Sequence, residues 1–225
     1  MRWFISSYPR CGTHMLVTAL DSHPALQCHG ELFNPHTDAG RHGLRKTSAV
    51  LEKFWQTDCG FAAHAYIGRR AGQATETAPR GIFQDFWSHI PPDTRVISLR
   101  RRNHLRRYVS HCQAKIRKVW NSETKLAGST ACVISHKKLL ASAAFAETCW
   151  KQCLRQFPDA AVIHYEDLCD NWEAATQSLQ QYLGVSPHTL KPTTKKLGGP
   201  LRGSITNFEE LAKQLKRSGH QHWID

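Results

Sequence analysis

Residues 4–14, Phe4-Ile5-Ser6-Ser7-Tyr8-Pro9-Arg10-Cys11-Gly12-Thr13-His14, constrain this chain more than any other stretch. An apolar strand runs into a Pro/Gly turn bearing an arginine, and helical periodicity follows at once in Met15, Leu16, Ala19 and Leu20. A helix that starts this abruptly leaves its first amides without intrahelical partners. Those N–H groups around Cys11, Gly12 and Thr13, with the helix dipole behind them, favour an anion, and Arg10 adds a planar charge. The turn is expected to cradle a phosphate.

The same residues exclude two chemistries. The nucleotide-triphosphatase loop requires G-x-x-x-x-G-K-[ST], whereas Gly12 is followed by Thr13 and His14, with no lysine to reach a terminal phosphate. A cysteine phosphatase with Cys11 as nucleophile needs an arginine six residues on, and Val17 stands there. Cys11 at a helix N-terminus could be acidified and oxidisable, or it could simply fill the loop as a small side chain.

A second basic turn follows a second short strand. Residues 96–99 are β-branched or apolar around Ser98, then come Arg100-Arg101-Arg102-Asn103 and a helical stretch over 105–120. Ser110 lies eight residues after Arg102, about two helical turns or ~12 Å along the axis. A long arginine side chain extended beside the helix can meet that serine on one phosphate. The plainer alternative is a solvated basic face made by Arg106, Arg107, Lys115, Arg117 and Lys118.

Together, Tyr8-Pro9-Arg10-Cys11-Gly12-Thr13 and Arg102-Asn103 with Ser110 resemble the two nucleotide-binding signatures of sulfotransferases that use 3′-phosphoadenosine 5′-phosphosulfate. Residues 96–114 are similar to bacterial carbohydrate sulfotransferases of the nodulation-factor type. Val162-Ile163-His164-Tyr165-Glu166-Asp167-Leu168, followed by a helix and Tyr182-Leu183-Gly184-Val185, is similar to the family's third landmark. The resemblance implies that Arg10, Cys11, Gly12, Thr13 and His14 hold the 5′-phosphosulfate. It further implies that Arg102 and Ser110 hold the 3′-phosphate and that Tyr165 contacts adenine. Cytosolic members have lysine and serine where Arg10 and Cys11 stand, and they close the nucleotide with an Arg-Lys-Gly loop. Leu201-Arg202-Gly203-Ser204 is the nearest counterpart, so Arg202 is the carried-over residue.

Sulfuryl transfer is an in-line displacement that depends on positioning and charge stabilisation, which Arg10 and the loop amides can supply without a metal. The acceptor hydroxyl still needs a base. Gly30-Glu31-Leu32-Phe33-Asn34-Pro35 resembles the segment in which bacterial and Golgi sugar sulfotransferases carry a catalytic glutamate, which makes Glu31 the expected base. His14, His23 and His29 compete for that role because histidine titrates near neutrality.

Composition narrows the partners. Thirty Lys/Arg against eighteen Asp/Glu give a formal charge of +12, which suits an anionic cofactor and an acidic acceptor such as a lipid headgroup or a glycan, while the resemblance implies transfer to a hydroxyl of a glycan, a glycolipid or a small molecule. Nucleic acid is not expected, because the basic residues are dispersed and no zinc finger or aromatic RNA-reading motif accompanies them. Cys149 and Cys153 share a helix face and Cys59 precedes His64, yet neither completes a four-ligand zinc set. Met1-Arg2-Trp3-Phe4-Ile5 enters the first strand directly, and no stretch approaches the ~18 apolar residues of a membrane span. A cytoplasmic enzyme with reduced thiols is therefore expected. A non-catalytic nucleotide- or polyanion-binding protein and a small nucleotide kinase are the alternatives.

The pattern along the chain implies one α/β domain over residues 1–225, a P-loop-like three-layer fold with a central parallel sheet flanked by helices. Strand, loop and helix occupy residues 2–21, and a Pro/His/Gly-rich connection runs to 43. Helix is expected at 47–55, 82–89, 139–157, 167–183 and 208–215, and strand at 60–65 and 160–164. Residues 121–138 read as a polar insertion over the site, and 187–200 as an irregular basic tail. A ligand would sit beyond the strand C-terminal ends.

Overall fold

The computed structural model describes residues 1–34, 47–64, 86–119, 130–191 and 199–224. Its centre is β1 (Trp3–Ser7), whose five residues are all buried, as a strand covered on both faces requires. With β2 (Cys28–Glu31), β3 (Gly60–His64), β4 (Arg95–Arg100) and β5 (Ala161–His164) it forms a five-stranded, wholly parallel sheet in the order β2-β3-β1-β4-β5. After β1 the chain builds towards β2 and β3, and after β4 it builds towards β5. The connections leaving the C-terminal ends of these two neighbours diverge, which opens a crevice there.

Helices flank both faces. Phe4 packs against Phe86, Trp87 and Phe157 on one side of β1. Ser7, pointing the other way, meets Thr13 at the start of α1 (Thr13–Asp21). The α/β, three-layer architecture expected from the alternation of strands and helices is the one observed. Among the described residues no helix is long and apolar enough to cross a membrane.

Several boundaries differ from the sequence reading. β2 lies inside the stretch read as an irregular connection, because its four residues are only half covered and show no apolar alternation. The helix expected over 167–183 is two, α5 (Tyr165–Asp170) and α6 (Trp172–Leu183), broken at Asn171 with φ −147°. The basic turn leads into α3 (His104–Arg117), which ends where Lys118 adopts φ 54°. The supposed insertion is shorter than 121–138, since α4 (His136–Gln156) starts early under the Ser135 cap and Cys132 forms a parallel bridge to Ile205. Residues 35–43, 82–85, 121–129 and 192–198 of the expected connection, helix, insertion and tail lie outside the described residues. The helix at 47–55 appears as α2 (Thr47–Phe54).

A smaller apolar cluster joins α3 to the C-terminal elements α7 (Leu201–Ser204) and α8 (Phe208–Arg217) through Leu105, Val109, Leu139, Leu201 and Leu215. Asn103 connects this cluster to the basic turn. Its side-chain oxygen caps α3 by accepting from the Arg106 N–H at 2.8 Å, and its Nδ2 donates to the Trp223 carbonyl at 2.9 Å. Asn103→Ala should cost about 1–2 kcal/mol, and Asn103→Ser, which restores only the cap, should recover part of it. Urea denaturation of the two variants checks this, and equal losses would show that the cap contributes nothing.

Candidate active site

Two residues of the first loop are left-handed: Arg10 at φ 71° and Gly12 at φ 91°. Gly12 is the N-cap of α1, and no side chain caps this helix, so its first amides face the crevice end of the sheet. Glycine meets the second requirement easily, but an arginine in this region is strained. The Arg101 Nη1 donates to the Arg10 carbonyl at 3.0 Å and so holds the unusual peptide in place. Thr13 Oγ1 donates to Ser7 Oγ at 2.8 Å and ties the helix start back to β1. Cys11 is fully buried, and burial pushes its thiol up to about 11. It fills the loop as a neutral group.

Three guanidiniums surround this loop. Arg10 Nε donates to Ser110 Oγ at 2.9 Å. Burial lowers the Arg10 pKa from its ordinary value and the Arg101 charge adds to that effect, while Glu31 opposes it. Arg101 lies 4.4 Å from the Tyr165 ring centroid. Arg107 is 1% exposed, sits 4.6 Å from the Tyr8 ring centroid and donates Nη2 to Ser142 Oγ at 2.8 Å. The Nε donors of both Arg101 and Arg107 are buried without a hydrogen-bond partner among the described residues. Buried donors in that state raise the reward for an acceptor, so the cluster suits an anion.

The Tyr165-Glu166-Asp167 run at the start of α5 locks the two loops to each other. The Tyr165 ring lies so close to Gly12 that a Cβ there would come within 2.6 Å of Cδ2. Glu166 accepts the Arg102 and Asn103 backbone N–H groups at 3.0 and 3.1 Å. Asp167 takes both terminal nitrogens of Arg102, at 2.6 and 2.9 Å. The contact of Arg102 with Asp167 holds that carboxyl below the usual carboxylate range. Arg102 and Ser110, expected to act on one phosphate, therefore have different protein partners: Asp167 for the first, Arg10 for the second.

Glu31 ends β2 and is half-buried; Asn34 Nδ2 donates to its Oε2 at 2.7 Å. Its charge acts on Arg10, which donates to Ser110. His14, the second residue of α1, is half-buried, and its carbonyl accepts from Thr18 Oγ1. Arg202, on α7, is exposed, paired with Glu209 at 2.8 Å and lies over the Phe208 ring. His23 is buried, with its Nε2 against the Ser186 carbonyl, and His29 packs on Phe54. Sequence reasoning missed Arg101, Arg107 and Glu166. Only the adjacency of the strand ends, with Arg100 of β4 opposite His164 of β5, exposes the role of Glu166.

Against known proteins, residues 3–189 match the model of a sulfotransferase family. The chain belongs to that family. Its members transfer sulfuryl groups, and this chain is such a transferase. A search of curated proteins returns no significant match. Among solved structures, a sulfotransferase from Alicyclobacillus acidocaldarius is similar over 100% of this chain and 96% of its own, at 15% identity and a TM-score of 0.56. Sulfotransferase domains of the Synechococcus PCC 7002 olefin synthase (16% identity, 93% and 82% covered, TM-score 0.44) and of the curacin biosynthetic pathway (15%, 96% and 91%, 0.46) are more distant. At such identities the first likeness speaks for the fold alone.

Gly12→Ala tests how the loops are joined. The new methyl group must displace Tyr165 and hold φ 91°, so a loss of about 1–3 kcal/mol is expected in chemical denaturation. Unchanged stability would mean that Tyr165 is not seated on the loop.

Proposed function

We propose that this sulfotransferase moves the sulfuryl group of 3′-phosphoadenosine 5′-phosphosulfate to a hydroxyl of a glycan, a glycolipid or a small molecule, with Glu31 as general base. The observation that carries the reading is the hydrogen bond of Arg10 to Ser110 beside the uncapped start of α1, with the charge of Glu31 acting on Arg10. The donor supplies a sulfuryl group already activated on a phosphate leaving group. Arg10 and the amides of Gly12, Thr13 and His14 stabilise the charge that builds on the departing phosphate oxygen. Glu31 accepts the acceptor's hydroxyl proton as the new oxygen–sulfur bond forms and the old one breaks. The +12 formal charge favours the approach of a polyanionic nucleotide.

Arg102 and Ser110 hold the 3′-phosphate in this reading. Arg102 is 53% exposed, and its pair with Asp167 is a surface salt bridge, worth about 0–1 kcal/mol. Exchanging that carboxylate for a doubly charged phosphate is therefore inexpensive. Tyr165, on the floor of the loop, supplies an apolar ring face beside the nucleotide, and Arg202 would close the site from α7.

Adenosine 3′,5′-bisphosphate should raise the melting temperature more than adenosine 5′-phosphate does. Arg102→Ala should weaken bisphosphate binding by about tenfold or more and erase the preference. If Arg10→Ala erases it and Arg102→Ala does not, the Arg10–Ser110 hydrogen bond marks the true 3′-phosphate site.

Glu31→Gln keeps the side chain's shape and removes the proton acceptor. Bisphosphate affinity should survive while transfer from radiolabelled donor falls by ~10²–10⁴-fold. Lost affinity would make Glu31 a structural carboxylate, and full activity would pass the role to His14. Tight bisphosphate binding by the wild type with no transfer to any glycan, lipid or phenol would favour a binding protein.

A further inference from the structure

Outside the loops just described, two cysteines among the described residues border one apolar cluster. Cys112 lies on α3 two residues past Ser110 and is half-buried; Cys132 is 6% exposed, in the apolar cluster that also holds Leu105, Tyr108 and Val109. Cys112 packs against that cluster, so the two thiols border the same apolar volume. The backbone around Cys132 is fixed from both sides. Gln113 Nε2 donates to the Thr130 carbonyl and Arg117 Nε to Thr130 Oγ1, each at 2.9 Å, which holds this segment on α3. The Cys132 N–H donates to the Ser204 carbonyl at 3.1 Å, and the Cys132 carbonyl accepts from the Thr206 N–H at 3.0 Å.

We propose that Cys112 and Cys132 are an oxidative modification site that closes to a reversible disulfide by exchange with a low-molecular-weight disulfide. Cys112 is the attacking sulfur. Its thiolate bonds to one sulfur of the small disulfide, whose S–S bond breaks and whose other half leaves as a thiolate and takes up a proton. Cys132 then releases its proton, attacks Cys112 Sγ and expels the second small thiol. Two protein thiols are oxidised to one disulfide, and one small disulfide is reduced to two thiols.

The two sulfurs are unequal in the sense this sequence needs. The Cys132 thiol lowers the Cys112 pKa, and Lys115, Tyr108 and Arg107 act the same way against the effect of burial. Cys132 is pushed up, first by holding its proton against Cys112 and then by burial. Its S–H also donates to the Ser204 carbonyl at 3.6 Å, and the proton lost on attack passes to the departing small thiolate. Once Cys112 is capped as a mixed disulfide, the leading cause that holds the proton on Cys132 is gone. Elsewhere, burial pushes Cys11, Cys28 and Cys153 up, and Cys59 and Cys149 are fully buried. Cys169, on α5, is exposed and is the internal competitor for the oxidant.

The bridge would staple the helix that carries Arg107 and Ser110 to the segment paired with residues 204–206, next to Arg202. Its chemistry needs no sulfuryl donor. The test incubates the full chain with excess oxidised glutathione, alkylates the remaining thiols and maps peptides by mass spectrometry. A peptide linking Cys112 to Cys132 should form and vanish with dithiothreitol. Cys132→Ser should instead accumulate glutathione on Cys112, and the melting temperature should rise on oxidation in the wild type but not in this variant. A Cys112 that stays fully alkylatable while Cys169 gains glutathione would overturn the proposal. So would a Cys112 linked to any other cysteine.

Discussion

Desolvated positive charge around one strained turn is the constraint on which the site depends. Arg10, Arg101 and Arg107 all crowd the loop after β1, and burial disfavours the cations at Arg10 and Arg107. Charge of one sign in so small a volume is tolerated only with compensating acceptors and aromatic faces. The acceptors are the Arg10 carbonyl, Ser110 Oγ and Ser142, with Glu31 opposing at longer range, and the faces are Tyr8 and Tyr165. The strain at Arg10 and the charge on Arg101 offset each other, since a left-handed peptide turns its carbonyl to where the guanidinium can reach it. That hydrogen bond joins the loop and the β4–α3 turn into a single unit.

The short α5 secures that unit, and its sequence explains how. β5 is hydrogen-bonded to β4 with Arg100 opposite His164, so the residues just past each strand end must be neighbours. Three consecutive side chains then reach three different groups: Tyr165 the first loop, Glu166 the amides of the second, and Asp167 the arginine beside them. Glu166 is the least replaceable of these. Its carboxylate accepts two consecutive backbone N–H groups at once, each in a charge-assisted hydrogen bond.

Much of this was legible in the chain because periodicity and turn chemistry agree there. β1, the loop and α1 could be read from apolar residues, Pro9 and Gly12, and the alternation with later strands gave a parallel sheet. β2 could not, because Cys28-His29-Gly30-Glu31 is short, half covered and carries a left-handed Gly30. Glu31 was reachable only through a resemblance, since nothing local shows that β2 ends near Arg10. The run Arg100-Arg101-Arg102 offers three equivalent side chains until the fold separates them. Arg100 turns back to Ser98, Arg101 enters the loop and Arg102 faces the surface at Asp167. Tertiary partners, not local propensity, divide their work.

Under the proposed function, that division would set how the site discriminates among anions. Arg102 can exchange one exposed acceptor for another at little cost, whereas Arg101 cannot leave the Arg10 carbonyl without freeing the strained turn. Charge near the surface is therefore adjustable and charge inside the loop is fixed. A ligand with a single phosphate gains from the fixed part alone. A ligand carrying a second, well-spaced phosphate also recruits the adjustable part, and each charge-assisted bond it adds contributes about 1.5–3 kcal/mol before ordering costs. Under the proposed function, selectivity for a doubly phosphorylated nucleotide would follow from having one rigid and one exchangeable arginine site, rather than from the number of basic residues in the chain.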